Sequence, residues 1–165
     1  MRSEIKRFGR GFVYAWNGIR AAVQQERNFR FHLCATCYTI AACCLAEVSA
    51  VEWALIILCI AAVLGMELMN SAIERAVDKP DTTHWWSAGA AKDMAAGAVL
   101  IVALGALCIG CVLLIPRLSV IVDHLRTVPV TGVLCLLGLI PAYLFTFRYH
   151  QTNQKGETTN GKSNS

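Results

Sequence analysis

The chain has 165 residues, of which 56% are hydrophobic and 16% charged, with a mean hydropathy of +0.50 and a formal net charge of +4. That balance excludes an ordinary soluble domain and fits a small all-α polytopic membrane protein; nothing in it calls for a nucleic-acid partner.

The first 30 residues are basic and patterned, unlike the apolar core of a cleavable signal peptide. Ile5, Phe8, Phe12, Trp16, Ile19 and Val23 recur at steps of 3 or 4, with Lys6, Arg7, Arg10, Asn17 and Arg20 between them. The spacing predicts a basic amphipathic helix over residues 1–30 with an aromatic apolar face, lying in the headgroup plane. The alternative, a helix packed on a soluble partner, suits a chain with several membrane spans less well.

Four apolar stretches follow. Residues 31–46, 95–115 and 128–147 carry no formal charge, and residues 53–66 are charge-free before running into Glu67. A helix needs roughly 20 residues to cross the hydrocarbon core. The last two stretches reach that length unaided; the first two must recruit their flanks, which brings His32, Glu67 and Asn70 to a membrane boundary. The expected organisation is a three-helix membrane core over 31–115, an extra C-terminal span within 116–150, and a polar, low-complexity tail over 151–165 that is expected to be disordered.

Lys and Arg number seven before residue 31, none over 47–52, and three at Arg75, Lys79 and Lys92; three more follow residue 147. An excess of positive charge marks the inner side. Four spans then place the N-terminus, the 79–92 loop and the C-terminus in the cytoplasm of a bacterial cell. Arg117 and Arg126, in the outer 116–127 connection, run mildly against this.

Two patterns invite metal, redox or nucleotide readings that their surroundings do not support. The eight cysteines, Cys34, Cys37, Cys43, Cys44, Cys59, Cys108, Cys111 and Cys135, all fall in predicted spans, and two pairs of them form C-x-x-C. No His or Asp clusters with them, so they read as small apolar packing residues. Residues 156–163, GETTNGKS, match a phosphate-loop pattern. That motif needs a strand before it and a helix after it, and here it sits in a polar tail.

The chemistry concentrates in residues 65–78, GMELMNSAIERAVD. Glu67, Asn70, Glu74 and Asp78 are separated by 3, 4 and 4 residues, which puts all four on one helix face. Arg75 is placed to pair with Asp78 at i+3. Glu67 and Glu74 lie about 10.5 Å apart along the axis, too far to hold one metal ion together. They therefore take different roles. Glu67, bordering the apolar run, is desolvated and suited to take a proton, and Glu74 is better placed for a hydrated cation. Ionisable residues inside membrane spans are costly and functional by default, although a solvated helix end accounts for Asp78 alone.

Two more polar patches reach the same side: residues 25–32, QERNFRFH, and residues 91–94, AKDM. Together the three supply two carboxylates for a divalent cation (Glu26 and Glu74), a lysine for phosphate (Lys92) and a base (Glu67). Mg²⁺ takes one or two carboxylates with phosphate oxygens and water, and phosphoryl transfer needs charge neutralisation, positioning and a base.

At these residues the chain resembles the small prokaryotic diacylglycerol kinase family. The resemblance rests on E-x-x-F-R from Glu26 to Arg30, E-L-M-N-S-A-I-E-x-x-V-D from Glu67 to Asp78, and A-K-D-M-A-A-G-A-V-L from Ala91 to Leu100. Tyr14 to Arg20 fits the family's interfacial helix, and the likeness covers about residues 5–115. It implies an integral membrane lipid kinase, homotrimeric, using ATP and Mg²⁺ at active sites built across neighbouring subunits. Carried over by motif, Glu26 and Glu74 ligate Mg²⁺, Glu67 is the catalytic base, and Asn70 and Lys92 contact nucleotide phosphates. Arg7, Asp78 and Asp93 support ATP binding. His32 stands where some members have glutamate. The wording around Asn28–His32 and the longer 78–91 loop with His84 resemble the Gram-positive branch, which largely phosphorylates undecaprenol rather than diacylglycerol. Family members end shortly after their third span, so the added segment is expected outside the trimer or at the lipid entry, bent at Pro129 and Pro141. The rival from another class is a four-span transporter using Glu67 as a coupled ion site, which has no need of Glu26, Glu74 and Lys92 together.

Overall fold

The structure, a computed structural model, describes residues 2–78 and 86–147, with side chains from Arg7 onward except at 86–87, 129, 131–132 and 134–136. Lys79, His84, and the 151–165 tail with its phosphate-loop-like pattern lie outside the described residues. Those described form α1 (Arg2–Gln25), α2 (Arg27–Leu45), α3 (Ala50–Val77), α4 (Trp86–Leu114), a 3-10 turn (Ile115–Arg117), α5 (Leu118–Thr127) and α6 (Pro129–Phe147). There is no strand among them, as the composition predicts.

Local chemistry sets several boundaries. The α2–α3 turn is closed by a reciprocal cap: Ser49 N–H donates to Glu52 Oε2 at 2.7 Å, and Glu52 N–H donates to Ser49 Oγ at 3.4 Å. Glu47, just before it, takes a left-handed φ of 51°. Pro116 sits at the start of the 3-10 turn, where a missing N–H costs nothing. Pro129 opens α6, and Pro141 lies inside it without ending it.

Two helical stretches are long and apolar enough to cross a membrane, Ala50–Val77 and Ala88–Thr127. Only 17% and 6% of their most apolar windows are buried. Their hydrophobic side chains therefore face outward, the reverse of a core helix in a soluble protein and the arrangement a lipid or subunit interface requires.

α3 packs along α4 and against α2, while α1 touches α2 and α3. The buried core lies at the far end of the bundle, where the α2–α3 turn meets the α4–α5 bend. Cys43, Ala46, Val48 and Ile56 fill it, with Trp53, Leu113, Leu114 and Ile121 packed around them. Arg117 fastens that end. It donates to Glu52 Oε1 at 2.8 Å and to the Leu113 carbonyl at 2.8 Å. The cation that ran against the expected sidedness is thus neutralised in place, and Arg126 lies 4.0 Å from Asp123.

Two boundaries differ from expectation. The first helix, expected through residue 30, stops at Gln25, because Glu26 adopts extended backbone (φ −98°, ψ 114°). The 116–127 connection is a turn followed by helix α5, which packs on α2 and α6. α6 runs antiparallel along α2, its Thr146 beside Arg30 and its Gly138 beside Tyr38.

Candidate functional site

The polar ladder on α3 is built as its spacing predicts through Glu74, and Asp78, expected on the same face, falls just past the helix end. Glu67 is 3% exposed, Asn70 6% and Ser71 5%; Glu74 is half-buried, and Asp78 is the exposed C-cap. Asn70 Nδ2 donates to Glu74 Oε1 at 2.9 Å, which orients that carboxylate. Asn70 Oδ1 is buried with no hydrogen-bond partner among the described residues. A buried amide oxygen left unpaired is costly, and such groups gather where a ligand completes the set.

Glu26 joins this ladder from the break between α1 and α2. Its Oε1 accepts from Arg75 Nη2 at 2.8 Å, so Arg75 pairs with Glu26 and not with Asp78 as i+3 spacing suggested. Asp78 has left the helix and accepts from Lys92 Nζ at 2.9 and 3.0 Å. The carboxylates of Glu74 and Glu26 both act electrostatically on Glu67. Glu67 itself forms no ion pair or hydrogen bond among the described residues. A carboxylate so placed is stable only if a cation, donor or proton reaches it.

Glu26, Glu67, Asn70, Glu74, Asp78 and Lys92 thus converge, and Asp93 sits exposed beside them within electrostatic reach of Lys92. Arg7 does not join them. It lies exposed on α1, about 27 Å along the helix axis from Gln25 by the rise per residue. Among the described residues no three His, Cys, Asp or Glu side chains form a metal-holding group. The donor set nevertheless fits a magnesium ion that arrives with a nucleotide: two half-buried carboxylates, Glu26 and Glu74, next to a buried orphan amide oxygen. Such an ion keeps waters and takes phosphate oxygens for the rest.

A cavity of about 560 Å³ opens between α2, α3 and α4. His32 and Thr36 line it on α2, Ile56, Ile60 and Val63 on α3, and Leu107 on α4. Positions 56, 60 and 63 continue at steps of 4, 3 and 4 into Glu67, so the apolar groove and the polar ladder share one face of α3.

The structure adds Arg30, which carried no role in the sequence analysis. It is fully buried and hydrogen-bonded to three carbonyls. Its signal in the sequence is an arginine set between Phe29 and Phe31 at the mouth of an apolar stretch.

The profile of the family described as prokaryotic diacylglycerol kinase matches residues 13–114. Over 117 residues the chain is 42% identical to an undecaprenol kinase of Bacillus subtilis (strain 168), covering 71% of this chain and 95% of that protein. Over 101 residues it is 37% identical to a diacylglycerol kinase of Escherichia coli (strain K12), covering 61% and 83%. The region matched by the family profile holds the whole converging cluster and leaves out Arg7, α5 and α6.

Proposed function

Because the chain belongs to the prokaryotic diacylglycerol kinase family, whose members are membrane-embedded lipid kinases, we propose that it transfers the γ-phosphoryl group of ATP to the hydroxyl of undecaprenol. The observation that carries this reading is one face of α3: the groove residues Ile56, Ile60 and Val63 are followed one turn on by buried, unpaired Glu67, and Glu74 comes two turns after that, where Glu26 and Lys92 approach from the α1–α2 break and α4. A lipid alcohol reaches Glu67 from one side and a soluble nucleotide from the other.

The roles follow from depth. The isoprenoid chain lies along Ile56, Ile60 and Val63, and Glu67 accepts the hydroxyl proton as the oxygen attacks. Asn70 holds Glu74 in orientation. Lys92 exchanges Asp78 for the nucleotide phosphates, a swap between two anions that an exposed ion pair permits. Mg²⁺, when bound at Glu26 and Glu74, supplies charge neutralisation of the transferring phosphoryl group. Asp78 and Asp93 stay at the solvent edge as second-line partners of nucleotide and cation. α3 is about 42 Å long against roughly 30 Å of hydrocarbon, so its last turns extend into the headgroups where ATP can reach them.

In this reading the chain is a multi-pass protein of the bacterial cell membrane with its N-terminus in the cytoplasm, α1 at the interface, and α6 as a fourth span. Arg7, too distant to serve its own cluster, serves the site of a neighbouring subunit in a homotrimer. The lipid preference rests on the relative named as an undecaprenol kinase; the E. coli relative favours diacylglycerol as the alternative. A transporter does not explain the nucleotide-side residues. The test is transfer from γ-labelled ATP by purified protein in lipid vesicles, with undecaprenol and diacylglycerol compared. Faster transfer to undecaprenol is expected, and no transfer to either lipid refutes the kinase reading.

A further inference from the structure

Glu26 occupies a break in the helical chain, and breaks need something to fix their angle. Neither glycine nor proline marks this one, and Glu26 makes no side-chain cap to α2. What braces it is Arg30. Its backbone N–H donates to the Glu26 carbonyl at 3.3 Å. Its Nη1 donates to the Val23 and Gln24 carbonyls at 3.1 and 3.3 Å, at the last turn of α1. Its Nε and Nη2 donate to the Thr146 carbonyl at 3.4 and 3.2 Å, at the end of α6. One buried guanidinium therefore holds the C-terminal ends of two helices, where the dipole favours a cation.

α6 is seated for this. On α2, residues 27, 30, 34 and 38 form one face, and on α6, residues 138, 142 and 146 form the facing one. Cys34 Sγ lies 3.8 Å from the Ala142 carbonyl and 3.6 Å from Thr146 Oγ1. The Arg27 guanidinium sits 5.8 Å from the centroid of the Phe147 ring. At Gly138 a Cβ would meet Tyr38 Oη at 3.2 Å, so the helices approach where only glycine fits without adjustment. None of α6 lies within the family match, which ends at residue 114.

We propose that α6 is a built-in positioning element for the catalytic cation: docked on α2, it holds Arg30, and Arg30 fixes the α1–α2 break that presents Glu26 toward Glu74. A buried guanidinium cannot lose the Thr146 carbonyl and keep its other bonds unchanged, since each unsatisfied donor is costly. Displacing α6 therefore re-aims Arg30 and loosens Glu26. The inference rests on the assignment of Glu26 and Glu74 to the cation.

The test uses the full chain in lipid vesicles. Mn²⁺ binding is followed by the electron paramagnetic resonance of the free ion, with a non-hydrolysable ATP analogue present, alongside the Mg²⁺ dependence of transfer. Gly138→Leu wedges α6 from α2. Loss of a partner that orients a metal ligand typically costs 10–100-fold in affinity. Gly138→Leu is expected to weaken Mn²⁺ binding about tenfold and raise half-saturating Mg²⁺ equally, with kcat at saturating Mg²⁺ within about twofold. Gly138→Ala, whose clash is slight, should stay within about threefold of wild type. Wild-type Mn²⁺ affinity in Gly138→Leu overturns the proposal. Should that variant not fold, Phe147→Ala, at the surface, should weaken Mn²⁺ about threefold, and no change there overturns it equally. Wild-type protein that binds Mn²⁺ but phosphorylates no lipid sinks the kinase reading alone. Wild type that binds no Mn²⁺ sinks the cation site and this inference together.

Discussion

Glu67→Gln isolates the proposed base from everything else the residue does. The side chain is 3% exposed, so an isosteric amide preserves packing and leaves no cavity. What disappears is the ability to accept a proton. A positioned general base contributes roughly 10²–10⁴ to rate, which at 1.36 kcal/mol per decade is about 2.7–5.4 kcal/mol of barrier. The fold loses nothing comparable, because Glu67 has no ion pair or hydrogen bond among the described residues. Replacing a buried, unpaired carboxyl with a neutral amide should leave the thermal midpoint equal or higher. The assay is initial-rate transfer from γ-labelled ATP to undecaprenol in vesicles, with thermal unfolding of the same preparation. The expected result is kcat down by at least 100-fold, KM for ATP within about threefold, and unimpaired stability. Transfer at the wild-type rate would refute the assignment. A large fall in stability would show that Glu67 serves the fold.

Lys92→Ala should lower kcat/KM for ATP at least about tenfold, as expected for a lost phosphate contact, while the thermal midpoint holds, since the pair with Asp78 is exposed. Arg75→Ala frees the Glu26 oxygen that Arg75 occupies and should lower half-saturating Mg²⁺ about two- to threefold, read from the Mg²⁺ dependence of initial rates; a rise would place Arg75 among the supports of the cation site. Arg117→Ala removes bonds to both Glu52 and the Leu113 carbonyl at the far end and should destabilise by about 1–3 kcal/mol in thermal unfolding, with kcat per folded molecule unchanged.

Much of the site was legible because helical periodicity converts spacing into geometry. Glu67, Asn70 and Glu74 needed only a continuous helix to share a face, and α3 runs unbroken from Ala50 to Val77. The apolar stretch 128–147 likewise became α6 nearly residue for residue. The unreadable parts depend on contacts between distant segments. The break at Glu26 carries no local signal, since it is held by an arginine four residues on and a carbonyl 116 residues from that arginine. Arg75 was assigned to Asp78 by i+3 proximity, but Asp78 leaves the helix at its C-cap and turns to Lys92, which frees Arg75 for a carboxylate 49 residues away. The 116–127 connection read as an outer link from the four-span pattern, with Arg117 and Arg126 running against it; in the fold Arg117 is paired with Glu52, and the segment continues as helix α5.

The distribution of contacts explains how one small bundle can be both stable and catalytic. At the far end, a capping box, the Arg117 tie and a cluster containing fully buried Cys43 fix three helices together. At the site end the ties between helices include ion pairs whose side chains are 26–62% exposed, and such pairs add little to stability. Lys92 can leave Asp78 and Arg75 can leave Glu26 at little cost when phosphates and a cation offer better partners, because the bundle is held elsewhere. Arg30 is the exception at that end, fully buried and bonded to α1 and α6 alike. Its position separates what must move from what must not: the charged groups exchange partners around nucleotide and cation, while the break that presents Glu26 stays fixed.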